Sequence, residues 1–118
     1  MEAHMKIGAE AIEQIIVVEW LKQCTDLPFF HIAGERKCSP QYGAFLKRLG
    51  TKPGVSDLFF PRASKSFSGM FMELKTLKGK PTVEQISFLE EMKKEGYFGI
   101  ICYGSKEAIE TIKIFYGL

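Results

Sequence analysis

The sequence predicts an α/β fold: a small mixed β-sheet flanked by helices. Three observations predict it. Helical and extended patterns alternate along the chain in the order helix, strand, short helix, strand, strand, helix, strand, helix. Val55–Phe60 and Met70–Leu74 are short apolar runs joined by a polar turn, the layout of an antiparallel hairpin with a long loop. The stretch from Met70 to Tyr103 reads strand–helix–strand, a parallel crossover beside that hairpin, which puts helices on both faces. With 118 residues the chain is about one domain. Residues 1–8 are read as a flexible leader and 9–118 as the domain.

Ala9 to Gln23 holds no Gly or Pro and reads as a helix. Ile12, Ile15 and Ile16 make one apolar stripe and Val17, Val18 and Leu21 another. A helix apolar on two sides is sandwiched between layers or between subunits. Asp26-Leu27-Pro28 ends that region, and Phe29–Ala33 reads as a strand whose His31 is a satisfied structural histidine. Pro40–Leu49 is a short helix with Phe45, Leu46 and Leu49 turned inward, stopped by Gly50. Thr82 caps the next helix. Gln85, three residues on, completes a capping box, which gives it a structural job. Ile86, Leu89 and Met92 supply that helix's buried face. Phe98–Tyr103 is a continuous apolar run, read as a central strand covered on both faces. Ser105 caps a last helix carrying Ile109, Ile112 and Tyr116.

Composition excludes several classes. Apolar content of 46% and charged content of 25% fit a globular chain rather than a disordered one. No apolar run approaches a membrane span. Cys24, Cys38 and Cys102 lack metal-ligand spacing and read as reduced cytoplasmic thiols. Gly79-Lys80-Pro81-Thr82 has the wrong upstream spacing for a P-loop. Net charge is only +2, but Arg36, Lys37, Lys47, Arg48, Lys52, Arg62 and Lys65 share one segment with a single acid, Asp57. That local charge of +6 attracts a polyanion, and these seven residues are its candidate contacts.

The acids stand where core strands should have none. Asp57 lies at the mouth of one strand, and Glu73 and Lys75, two apart in the next, share a face. Two carboxylates and a lysine at the edge of a buried sheet suit divalent-metal chemistry on phosphate. The backbone carbonyl of Leu74 adds a third oxygen. Lys75 is placed to orient or help deprotonate a metal-bound water. Glu10 or Glu13, from the first helix, is a further acid for a second metal or a coordinated water.

Pro53-Gly54-Val55-Ser56-Asp57-Leu58, then Glu73-Leu74-Lys75, then Gln85, resembles the PD-(D/E)XK nuclease superfamily. More narrowly, the ordered set is similar to the virus-type replication-repair nuclease (VRR-NUC) domain. Glu10, Gln14 and Trp20 on the first helix, His31-Ile32, Leu49–Gly54 and Gly96-Tyr97 belong to the same set. Ser56 stands where the family commonly has proline. The resemblance implies a restriction-endonuclease-like core and a Mg²⁺- or Mn²⁺-dependent DNA endonuclease. Asp57 and Glu73 would be metal ligands, Lys75 the catalytic lysine, and Gln85 an assistant near the water or metal. Glu10, which keeps the family spacing to Gln14, would be the further acid. It also implies a homodimer acting on branched DNA such as Holliday junctions, in a bacterial or phage-infected cell.

Overall fold

A computed structural model describes residues 7–32 and 39–118. The elements are α1 (Ala9–Cys24), β1 (Phe30–His31), α2 (Pro40–Arg48), β2 (Leu58–Phe60), β3 (Met70–Lys75), α3 (Val83–Lys94), β4 (Phe98–Tyr103) and α4 (Ser105–Tyr116). Their order is the expected one. The sheet runs β1-β2-β3-β4, with β1/β2 and β2/β3 antiparallel and β3/β4 parallel. The hairpin and the crossover are therefore both present.

The sheet separates two apolar layers. On one face, Val17 and Leu21 of α1 and Ala108, Ile112 and Phe115 of α4 pack with Leu58, Phe60, Met70, Met72 and Leu74. On the other, Phe88 and Leu89 of α3 pack on Phe71, and Phe59 stacks on Phe71 with centroids 4.3 Å apart. Every residue of β3 is buried. Alternation along β3 sends Met70, Met72 and Leu74 to the α1/α4 side and leaves Glu73 and Lys75 on the side of Phe71 and α3.

Several details differ from the sequence reading. β4 is an edge strand, not a central one. Its apolar run reflects helices α3 and α4 over its two faces, which says nothing about its place in the ladder. No residue of α2 is buried, and Phe45 and Leu49 are 50% and 66% exposed. Periodicity defines a helix's apolar face without guaranteeing that anything packs on it. In α3 the inward stripe is Gln85, Phe88, Leu89 and Met92, while Ile86 is 45% exposed. Ser105 is the first residue of α4 rather than its cap; Gly104, at φ +91°, precedes it. Of the two stripes on α1, Val17 and Leu21 are buried while Ile12, Ile15 and Ile16 lie on the surface. No described helix is long and apolar enough to cross a membrane.

The β2–β3 connection contains a tight turn. Ser64 and Phe67 exchange two backbone hydrogen bonds, and Lys65 and Ser66 between them have φ of 50° and 70°. Two positive φ angles in succession are the mark of a type I′ turn, which favours Asn-Gly. Lys65→Asn with Ser66→Gly is expected to raise stability by about 1 kcal/mol. Urea denaturation checks this, and an unchanged midpoint contradicts it.

A candidate metal centre at one end of the sheet

Backbone pairing brings the two strand acids together. Leu58 pairs with Met72, and continuing that antiparallel register sets Asp57 opposite Glu73. Like charges across a strand pair are unfavourable, so the arrangement needs compensation. Asp57 Oδ2 accepts the Leu74 N–H at 2.7 Å. In an extended strand a residue's N–H and C=O point the same way, so the Leu74 carbonyl faces the Asp57 side. Glu10, from the first turn of α1, completes the group: Glu10, Asp57 and Glu73 each offer a carboxylate oxygen within 4.8 Å of the others.

Glu73 is 2% exposed. Its Oε2 accepts from Gln85 Nε2 at 3.1 Å and lies 3.8 Å from Lys75 Nζ. Its Oε1 is buried and has no hydrogen-bond partner. Burial first, and then the Asp57 carboxylate, push the Glu73 pKa up to about 9, with Lys75 working in the opposite direction. Burial also raises the pKa of Glu10, opposed by Lys75 and assisted by Asp57. An orphaned buried carboxylate oxygen among three crowded acids fits a hard divalent cation. Such an ion supplies the missing partner and offsets the repulsion, and an all-oxygen donor set suits Mg²⁺ or Mn²⁺.

Gln85 does two jobs. Its Oε1 accepts from Thr82 N at 2.8 Å and its backbone N–H donates to Thr82 Oγ1 at 3.1 Å, closing the capping box. With the oxygen so engaged, the amide nitrogen is left to donate to Glu73. The cap thus fixes which end of the amide faces the acids. Gly54 makes this close fit feasible: a Cβ there, at φ +82°, would sit 2.4 Å from the Glu84 carbonyl and 2.8 Å from Gln85 N.

The two glutamates of α1 part company. Glu10 joins the carboxylate group. Glu13 accepts from Ser105 N and Ser105 Oγ, both at 3.3 Å, and so serves the start of α4. His31 behaves as the structural histidine expected. Its Nδ1 is 2.8 Å from the Asp57 carbonyl, which can only accept, so Nδ1 carries the proton in this contact. Gln14 Nε2 lies 3.1 Å from the same nitrogen. Together with Ile32 N–H on the same carbonyl, this ties α1 and β1 to the backbone of Asp57.

The expected DNA contacts are dispersed. Arg36 and Lys37 lie outside the described residues. Lys47 and Arg48 are exposed on α2. Lys52 is paired with Glu91 and Arg62 with Asp26, both at 3.1 Å. Arg62 and Lys65 sit in the β2–β3 connection, at the opposite end of the sheet from Glu73 and Lys75. Sequence reasoning passed over Lys78 and Lys80. They follow β3 at the carboxylate end, and their closeness in sequence to Lys75 was the available signal.

The raised Glu73 pKa fixes the sign of a pH effect. In the window between its ordinary value of 4.5 and about 9, the folded protein binds more protons than the unfolded chain. Stability of the metal-free protein is therefore full below that window and is lost as pH rises through it. Urea midpoints from pH 5 to 9 should fall in the native sequence, and the slope should flatten in Glu73→Gln.

No family model matches the chain, and no curated protein does. A solved structure described as a VRR_NUC domain protein is similar to it. That structure superposes with a TM-score of 0.80 at 26% identity, covering 97% of this chain and 93% of the other. The likeness therefore spans the whole sheet, its helices and the end where Asp57, Glu73, Lys75 and Gln85 meet, and the chain has the fold of a VRR-NUC nuclease domain.

Proposed function

We propose that the protein is a Mg²⁺- or Mn²⁺-dependent endonuclease that hydrolyses phosphodiester bonds in branched DNA. The observation that carries this reading is the grouping of Glu10, Asp57 and Glu73 at the end of a VRR-NUC fold. Asp57, Glu73 and the Leu74 carbonyl would hold the ion, with Glu10 as a further ligand directly or through water. A bound divalent cation makes water easier to ionise and draws charge off a phosphate oxygen.

The chain's own residues do the rest. Lys75 is buried beside Glu73, where its ammonium would orient the attacking water and offset charge developing on the phosphate. Gln85 holds Glu73 Oε2, and Oε1, which has no hydrogen-bond partner, would be the oxygen that binds the ion. Asp57 is steadied on both sides, its carboxylate by Leu74 N–H and its carbonyl by His31. Water attacks phosphorus, the 3′ oxygen leaves, and the products carry 5′-phosphate and 3′-hydroxyl ends.

A second copy of the chain would cover Ile12, Ile15 and Ile16 on α1 and set two such centres for paired cuts on a symmetric junction. Sedimentation giving only monomer at micromolar concentration removes the dimer. The reaction is tested by incubating duplex, flap, splayed-arm and four-way DNA with Mg²⁺ or Mn²⁺. Cutting at or near the branch point, with 5′-phosphate ends, is the expected result. Binding without cleavage under either metal would instead favour a catalytically silent or partner-activated DNA-binding module of the same fold.

A further inference from the structure

The loop between β3 and α3 begins at the residue after Lys75 and ends at the cap of α3. It is folded tightly against the candidate centre. Gly79 N–H donates to Thr76 O at 3.0 Å, and a Cβ on Gly79 would lie 3.4 Å from the Cβ of Lys75 and 3.2 Å from Thr76 Oγ1. The loop therefore turns back over the stem of Lys75. Its tip then points its side chains away from the protein. Leu77 is 82% exposed, more than any other large apolar side chain among the described residues. Lys78 and Lys80 are exposed as well. Leu77 also reaches the start of α4, because a Cβ on Gly104 would be 3.7 Å from Leu77 Cδ2. Two residues beyond Gly104 is Lys106, again exposed.

These lysines differ from Lys52 and Arg62 in their pairing, and from Arg62 and Lys65 in their place on the sheet. Among the described residues, Lys78, Lys80 and Lys106 take part in no ion pair, whereas Lys52 and Arg62 are held by acids. They also follow the C-terminal ends of β3 and β4, the end that carries Glu73 and Lys75. Arg62 and Lys65 lie beyond the other end of β3, about 17 Å away along a six-residue strand. The N-termini of α1, α3 and α4 all open toward the carboxylate end and add positive partial charge there. Glu84 and Glu107 stand on the same rim, in the first turns of α3 and α4, where acids complement the helix ends. The loop itself, residues 76–82, carries two lysines and no acid.

We propose that the β3–α3 loop is the element that seats DNA at the centre, with Lys78, Lys80 and Lys106 on backbone phosphates and Leu77 against the exposed base or sugar surface. This rests on the nuclease reading and names the surface that receives its substrate. Cationic side chains beside an exposed apolar one match a strand that presents phosphates on one side and unstacked bases on the other. Exposed lysines are available for such contacts without first breaking an internal pair.

The test is fluorescence anisotropy on a labelled four-way DNA junction, with Ca²⁺ replacing Mg²⁺ to hold back cleavage. The full chain is compared with Lys78→Gln/Lys80→Gln, with Leu77→Ser, and with Lys22→Gln/Lys94→Gln. The last pair removes the same charge from the C-terminal ends of α1 and α3, at the far end of the sheet. Lys78→Gln/Lys80→Gln should weaken binding about tenfold and reduce the salt slope by about 1.8, the loss of two phosphate contacts. Leu77→Ser should weaken it several-fold without changing the slope, and Lys22→Gln/Lys94→Gln should bind like the native chain. Thermal melting with and without Mn²⁺ should be the same in all of them, showing intact folding and an intact metal site. Native affinity and slope in Lys78→Gln/Lys80→Gln would overturn the proposal, as would an equal loss in Lys22→Gln/Lys94→Gln. A native chain that binds no DNA would remove the nuclease reading along with it.

Discussion

Glu73→Gln and Asp57→Asn should each lower DNA cleavage by at least about 10³-fold. At the same time, Glu73→Gln should make the metal-free protein more stable by on the order of 2 kcal/mol at neutral pH. The two effects have opposite signs for one reason. Glu73 is buried opposite Asp57, and its carboxyl holds a proton well above the ordinary carboxylate range because burial and the neighbouring charge disfavour ionisation. Folding without a cation therefore works against the charge that metal binding needs. A neutral amide of the same shape removes that conflict and still accepts the hydrogen bond from Gln85. It would give up the proposed anionic ligand, so activity should fall. Asp57→Asn keeps an oxygen for Leu74 N–H and should fold normally. Single-turnover cleavage and urea denaturation of the same preparations check the pair. A Glu73→Gln protein that is both inactive and less stable would mean the acid is a packing residue rather than a ligand held at a cost.

Gly54→Ala should destabilise the protein by roughly 3 kcal/mol and lower its melting temperature by about 10 °C. Two costs combine. The backbone at φ +82° disfavours any L side chain. The added methyl would also lie 2.4 Å from the carbon and oxygen of the Glu84 peptide. Those are backbone atoms, so relief requires the first turn of α3 to move. That turn holds Thr82 and Gln85, and its displacement would draw Gln85 Nε2 away from Glu73. Scanning calorimetry measures the loss. A change in melting temperature of under about 2 °C would show that Gly54 is not wedged against α3 in solution.

Much of the site is legible in the sequence because strand geometry is strict. A two-residue period and one antiparallel register are enough to bring Asp57, Glu73 and Lys75 to the same end of the sheet. Helix geometry alone settles less. Glu10 and Glu13 lie within one turn of each other. What separates them is tertiary: α4 begins beside Glu13, whose carboxylate serves Ser105, and Glu10 is left for the acids. Gln85 reads as a cap because the capping pattern is local. Its contact with Glu73 depends on how α3 lies over β3, close against the backbone of Gly54. Phe45 and Leu49 face outward, against the sequence expectation, because periodicity identifies an apolar stripe without identifying what lies opposite. Charge density along the chain points to the 36–65 segment, yet strand direction, not charge density, decides which end of the sheet a basic residue reaches. Arg62 and Lys65 went to one end while Lys78 and Lys80 arrived at the other.

Nicking of supercoiled plasmid DNA by the purified chain tests the carboxylate metal centre, with Mg²⁺, with Mn²⁺ and with excess EDTA, alongside Asp57→Asn. The expected result is conversion to open-circular or linear DNA under either metal, none with EDTA, and none above background from Asp57→Asn. Cleavage that persists in EDTA, or that Asp57→Asn carries out at the native rate, would contradict a metal centre built on these carboxylates.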